Sequence, residues 1–330
     1  MANASTGYVG VAVETTGGVA LPPTKYLPVT DVDFPSENTF IDVKEIRGSR
    51  QATQSYDGAV KPTASIKSGF YGSGAMGTFM LGLFGGVATT NVTGSTTSKL
   101  HTFSDASLPY LTLERADTKS GVAGGLIVER LGGCKVESMQ FACTFGQDVK
   151  VTTNFQALRF PDATVSKAVA PVFPTQNPFI FKGASVFVDG VLSSQFKDVT
   201  FDFKNTLERQ DALNGTRESA FIFEGGFDCT LSGKMIFSDL VMYNKFNQGT
   251  NMAIKVQFVG DSLDVAGTPP TFYTATFVWT NVKLSKFGIP FTAGGIINAD
   301  CTFKIKFDGA LGRSVQATLQ NADVTGTYAT

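Results

Sequence analysis

Apolar and polar positions alternate with a period of two along most of the chain. Met139, Phe141, Cys143 and Phe145 fall on one side, with Gln140 and Thr144 on the other. After Gly146-Gln147-Asp148, the series Val149, Val151, Thr153, Phe155 continues the pattern, which predicts a β-hairpin. Val199, Phe201 and Phe203 alternate with Thr200, Asp202 and Lys204. Cys301, Phe303, Ile305 and Phe307 alternate with Thr302, Lys304, Lys306 and Asp308. Strands with one apolar and one wet face favour antiparallel sheets. Only two segments carry a helical pattern, Ala75–Phe84 and Asp239–Phe246, the second with Ser238 as its expected N-cap. Residues 1–30 read as an N-terminal arm, since Thr15–Pro23 is rich in Thr, Gly and Pro and has little periodicity.

The two helical segments invite a comparison of the halves of the chain. Glu45–Phe70 aligns with Ala212–Phe237 without gaps. Gly48, Arg50 and Gly58 meet Gly215, Arg217 and Gly225, and Tyr56-Asp57 meets Phe223-Glu224. Thr63, Ser65, Lys67 and Phe70 meet Thr230, Ser232, Lys234 and Phe237. Further on, Tyr110–Glu114 resembles Ala253–Gln257, Lys135-Val136 resembles Lys283-Leu284, and Thr153-Asn154-Phe155 loosely resembles Thr302-Phe303-Lys304. The expected organisation is an arm over 1–30, a first β-domain over 31–165 and a second over 166–330, each with one short flanking helix.

Composition sharpens this picture. A chain of 330 residues suffices for one large or two medium cores. Charged residues make up 17%, against about 25% in ordinary globular proteins, so part of the surface is expected to be covered by other subunits. The 29 Phe and 35 Gly fit strands joined by turns. A net charge of −1 provides no basic excess for stable nucleic-acid binding. Met1–Val11 lacks the pattern of a signal peptide, and the apolar stretch Gly74–Ala88 is short of the roughly 20 residues that span a bilayer, so no membrane segment is expected. Cys134, Cys143, Cys229 and Cys301 form no CxxC pair and read as reduced core residues, and without a secretory signal the sequons at Asn91 and Asn214 carry little weight.

Candidate chemistry is sparse. Gly72, Gly74 and Gly77 match GxGxxG between a strand and a helix, but a dinucleotide site also needs a parallel βαβ unit and a downstream acid, so close helix packing is the better reading. His101 is the sole histidine, placed in a polar loop with Asp105 nearby, and supports neither a triad nor a zinc site. Glu114-Arg115-Ala116-Asp117 reads as a solvated charged turn. Asp31/Asp33 and Asp198/Asp202 read as acids on wet strand faces rather than catalytic or calcium-binding pairs. No catalytic, cofactor-binding or metal-binding residue is assigned, no cofactor is expected, and the chain reads as a non-enzyme.

The opening Gly7-Tyr8-Val9-Gly10-Val11-Ala12-Val13-Glu14-Thr15-Thr16-Gly17-Gly18, with the Pro-rich step after it, resembles the tail tube proteins of long-tailed bacteriophages. So do the long hairpin Glu45–Phe70, the short helix that follows and the hairpin Lys135–Leu158. The resemblance covers most of residues 7–160 and reaches the second half through the internal similarity. It implies a mainly β chain of two tandem antiparallel β-sandwich or barrel tube domains. Such subunits form stacked rings around a lumen, and the tandem kind form homotrimers with pseudo-sixfold symmetry. The implied partners are further copies of the chain, the tape-measure protein and tail-end proteins. DNA would pass through the lumen without specific binding, and the location would be the virion tail after assembly in the host cytoplasm. Residues 1–30 and the hairpin around Gln54–Lys61 are the expected ring-to-ring contacts, with deletion of residues 2–20 expected to leave folded subunits. Alternatives are a capsid decoration or receptor-binding module, or a carbohydrate-active β-sandwich enzyme.

Overall fold

The computed structural model describes residues 7–35, 38–43, 54–117, 128–163, 171–267, 269–290, 297–324 and 328. It is a mainly β structure with large antiparallel sheets. In chain order the first half contains β1 (Gly7–Val13), β2 (Lys25–Leu27), β3 (Asp31–Asp33), β4 (Asn38–Val43), β5 (Gln54–Val60), β6 (Thr63–Gly69) and α1 (Ala75–Phe84). It continues with β7 (Gly85–Asn91), β8 (Lys99–Asp105), β9 (Leu111–Asp117), β10 (Val128–Thr144) and β11 (Lys150–Gln156). The second half contains β12 (Ala184–Val188), β13 (Val191–Ser193), β14 (Phe196–Gln210), β15 (Phe221–Ile236), α2 (Val241–Gln248), β16 (Met252–Asp264), β17 (Thr271–Gly288), β18 (Asn298–Ile305) and β19 (Gln316–Asn321).

Two long strands organise everything else. β10 pairs with β9 along its first half and with β14 along its second, while β11 takes the opposite edge. β17 pairs with β16 on one edge and with β19 and β18 on the other. The alternation read from the sequence puts Met139, Phe141, Val151, Phe155, Phe201, Phe203 and Phe303 inside one core drawn from both halves, which Phe277 also joins. At its centre Phe141 stacks on Phe201 with centroids 4.9 Å apart, and Phe277 and Trp279 pack beside them. Each such aromatic pair is worth about 0.5–1.5 kcal/mol beyond the area it buries.

The strand pairings recur between the halves. In the ribbon of β4 and β5, Phe40 faces Asp57, Ile41 faces Tyr56 and Val43 faces Gln54. In β14 and β15, Leu207 faces Glu224, Glu208 faces Phe223 and Gln210 faces Phe221, each residue 167 positions later. β3 against β6 repeats in the same way: Asp31 faces Lys67 as Asp198 faces Lys234. β10 against β11 matches β17 against β18 at a shift of 148, with the bulge between Val136 and Ser138 returning between Leu284 and Lys286. The match of Lys135-Val136 with Lys283-Leu284 has this spacing. The one at Tyr110–Glu114 is displaced by two residues, because Leu113 faces Leu131 where Ile254 faces Trp279. Thr153-Asn154-Phe155 is displaced by one, since Phe155 corresponds to Phe303. The expected matches at Gly48 and Arg50 and the boundary at 165/166 lie outside the described residues. Among the described residues the hairpin β7–β8 has no second-half counterpart, and β8 pairs with β19.

Several local expectations change. From Gly7 on, the expected arm is a buried strand, since β1 lies between β2 and β9. The Glu14 carboxylate then pins the following turn by accepting hydrogen bonds from Gly18 N–H (2.7 Å), Thr112 Oγ1 (2.8 Å) and Gly133 N–H (2.7 Å). Deleting residues 2–20 would remove a core strand, so it would not leave folded subunits. Glu114-Arg115-Ala116-Asp117 is the end of β9, not a solvated turn. Glu114 is buried, and its carboxylate accepts hydrogen bonds from Tyr8 Oη (2.6 Å) and Arg130 Nε (2.8 Å). β5 and β6 do not form a hairpin with each other. They lie in line, broken at Lys61-Pro62, and β5 turns back on β4 instead. The helix α1 matches its predicted span and is buried throughout. α2 begins at Val241, and its first N–H donates to Asp239 Oδ1 (2.9 Å), so Asp239 rather than Ser238 serves the helix start.

His101 sits buried in β8, not in a loop. Its Nδ1 lies 2.8 Å from Thr89 Oγ1 and its Nε2 lies 2.8 Å from Asn321 Oδ1. Asn321 spends its own amide donors on Gly72 O and Asp323, so Nε2 carries the proton and Nδ1 accepts from Thr89. Burial lowers the imidazole pKa, which holds the ring neutral in the fold. The unfolded ring takes up a proton first, so stability is complete above about pH 6.5 and falls as the pH drops below it. Urea midpoints measured down to pH 5 should show this loss, and His101→Gln should remove the part due to this site. Phe201→Ala should cost about 3–5 kcal/mol in the same assay, because it opens the shared core.

Candidate functional site

The most conspicuous surface features are two ribbons that project apolar side chains into solvent. Phe40, Ile41 and Tyr56 on β4–β5 are half or more exposed, and so are Phe221 and Phe223 on the outer part of β14–β15. Large exposed side chains clustered on a ribbon signal an interaction surface, unlike single exposed residues. The two ribbons share their local design. Thr39 Oγ1 donates to Ala59 O at 2.6 Å, and a side chain at Gly58 would collide with Thr39. In the second ribbon a side chain at Gly225 would meet Thr206 at 3.1 Å. Sequence reading found the Gly58/Gly225 match but missed Thr39/Thr206. The signal was present, as Asn38-Thr39 recurs as Asn205-Thr206 at the same spacing.

The loop at the tip of β14–β15 is fastened against the base of the β4–β5 ribbon. Arg217 Nε donates to Gly58 O (2.8 Å), its guanidinium pairs with Asp57 (3.3 Å), and Val60 N–H donates to Arg217 O (2.9 Å). Arg159 pairs with Glu218 at 2.7 Å, and the other oxygen of Glu218 accepts from Phe160 N–H at 2.9 Å. The Lys135 ammonium pairs with Glu224 and lies 4.3 Å from the centre of the Tyr110 ring. The aligned acids Asp57 and Glu224 thus both receive cations, one from a neighbouring ribbon and one from β10. The partly exposed pairs Arg217–Asp57 and Arg159–Glu218 are worth about 0–1 kcal/mol each, so they orient the ribbons more than they stabilise the fold, whereas Lys135 is buried in its pair with Glu224.

The sequence-derived chemical motifs are taken up by packing. Gly77 lies under the Tyr328 ring, and Gly72 lies against Tyr273 and Phe179. A side chain at Gly77 would overlap the Tyr328 ring, and one at Gly72 would press on Tyr273. Asp31 is held by Lys67 at 2.8 Å, which lowers its carboxyl pKa, while Asp198 and Asp202 lie along β14 opposite Thr144 and Gln140. The four cysteines are free thiols, three buried and Cys143 half-buried. Among the described residues no three His, Cys, Asp or Glu gather as a metal site. No helix among them is long and apolar enough to cross a membrane.

A family model described as phage tail tube protein matches residues 4–305. No curated protein matches the chain.

The ribbon aromatics face solvent, so replacing them should spare the fold and weaken association. Ile41→Ser with Tyr56→Ser should change unfolding free energy by no more than about 0.5 kcal/mol. Sedimentation velocity should show a shift from large particles toward single chains.

Proposed function

Because the chain belongs to the phage tail tube protein family, we infer from its pairing pattern how it serves as a structural component of the virion tail. It polymerises into rings that stack into a tube, and each ring holds three chains whose six β-units stand around the axis with pseudo-sixfold symmetry. The observation that carries the three-chain ring is the recurrence of strand register between the halves, bulges included. Two units of like register in one chain supply two of six like positions. Head-to-tail contacts between such units close when the rotation permits, and closed rings stack.

In this reading the role is geometric. The tube is a conduit for the genome during ejection, with the tape-measure protein inside it during assembly and tail-end proteins capping it. The chain performs no chemistry of its own. A near-neutral chain, with 27 basic and 28 acidic residues, suits DNA that must pass without sticking. The exposed ribbons are the natural ring-to-ring contacts, since their strands carry solvent-facing apolar side chains. Assembly takes place in the host cytoplasm.

Electron microscopy of the purified protein, averaged along the particle axis, is the direct check. Rings of three subunits with six repeated densities are expected. Rings built of six whole subunits would keep the tube and overturn the three-chain arrangement.

A further inference from the structure

The β10–β14 pairing is one of two that join the halves, the other being β8–β19, and the counterparts of its two strands leave complementary edges open. In the join, Ser138–Thr144 of β10 face Lys204–Asp198 of β14. β17 is the later counterpart of β10, since Phe287 faces Cys301 as Met139 faces Thr153. β3 is the earlier counterpart of β14, since Asp33 faces Ser65 as Thr200 faces Ser232. β3 is paired on one edge by β6, and β17 beyond Val282 is paired on one edge by β18. Among the described residues no strand takes their other edges. Open edges of this kind present unpaired N–H and C=O groups that another strand satisfies.

We propose that these edges meet between copies of the chain, with Asp33-Phe34-Pro35 of one copy running antiparallel to Gly288-Ile289-Pro290 of the next. The pairs are Asp33 with Pro290, Phe34 with Ile289 and Pro35 with Gly288, the register obtained by carrying the β10–β14 join onto its counterparts. This rests on the reading that the chain closes head to tail into rings.

The prolines provide an independent check of that register. Phe145 N–H donates to Lys197 O at 3.1 Å, which makes Phe145–Lys197 a hydrogen-bonded pair of the join. Pair types alternate along an antiparallel ladder. Phe141–Phe201 is therefore hydrogen-bonded, whereas Ala142–Thr200 and Gln140–Asp202 are not. Carried to the open edges, Phe34–Ile289 becomes the hydrogen-bonded pair, and both Pro35 and Pro290 fall in non-hydrogen-bonded pairs. There a missing N–H costs the pairing nothing. A slip of one residue would set one of the two prolines where a donor is needed. The side chains agree as well. Phe34 is buried and Ile289 is packed on the core, as the Phe201 and Phe141 they replace are. Asp33 lies on the exposed side of its strand, like Pro290 opposite it.

The test is a cysteine pair. Non-hydrogen-bonded partners stand about 4.5 Å apart at Cα, inside the range a disulfide spans. Asp33→Cys with Pro290→Cys should give covalent dimers and trimers, and nothing larger, when assembled protein is oxidised and run without reductant. Asp33→Cys with Lys286→Cys is roughly 13 Å out of register and should stay monomeric. The native thiols compete poorly, since burial pushes Cys143 up to about 11 and Cys301 up to about 12. Rings with no cross-link at 33/290, or with cross-linking at 33/286 instead, would overturn the pairing and leave the ring reading standing. Absence of rings from the unmodified protein would overturn the ring reading itself. If the cysteine variants fail to assemble, amide exchange on the unmodified protein decides. Phe34 and Ile289 should gain protection on assembly, and unchanged exchange at both would overturn the proposal.

Discussion

A β-strand has two edges, and every N–H and C=O along them needs a partner. That requirement shapes this molecule more than any single side chain does. β10 and β17 are long enough to serve several neighbours in succession, and each changes partners at a bulge. The bulges set where one partner ends and the next begins. The Phe-rich core follows from this arrangement, because strands placed side by side in fixed register bring Phe141, Phe201, Phe203 and Phe277 together from distant parts of the chain.

Much of this was legible because it is local. Alternation marked the faces of β10, β11, β14 and β18, and the run Ala75–Phe84 marked α1. What escaped depends on partners far away in sequence. Glu114-Arg115-Ala116-Asp117 carries three charges in four residues and looks like surface. The burial of Glu114 becomes intelligible only once Arg130 and Tyr8 are placed against it. His101 looks like a loop residue until Asn321, 220 positions away, supplies its acceptor. The arm looked loose because Thr15–Pro23 has no period, and Gly7–Val13 before it was read as part of the same arm.

The comparison of halves shows a similar division. Spacing alone found the ribbon match correctly, since Gly58 and Gly225 are fixed by contact with Thr39 and Thr206. At Tyr110–Glu114 it slipped by two residues. A slip of two keeps every side chain on its proper face, so alternation cannot detect it. Only the bulged pairing of β9 and β16 with their long partners fixes that position. Candidate chemistry was legible mainly through the function of glycine: the GxGxxG spacing reflects how closely α1 approaches Tyr328 and Tyr273.

The join of β10 with β14 has a kinetic consequence. Its two strands belong to one polymer, with Thr144 and Phe196 about fifty residues apart, so they meet at the effective concentration that tethering provides, of millimolar order for short flexible links. Contacts of the same geometry between separate molecules must instead wait for diffusion and carry its concentration dependence. Carrying both strands of the join on one chain therefore spares it a bimolecular encounter. It also ties the making of that contact to folding, before any second molecule is present.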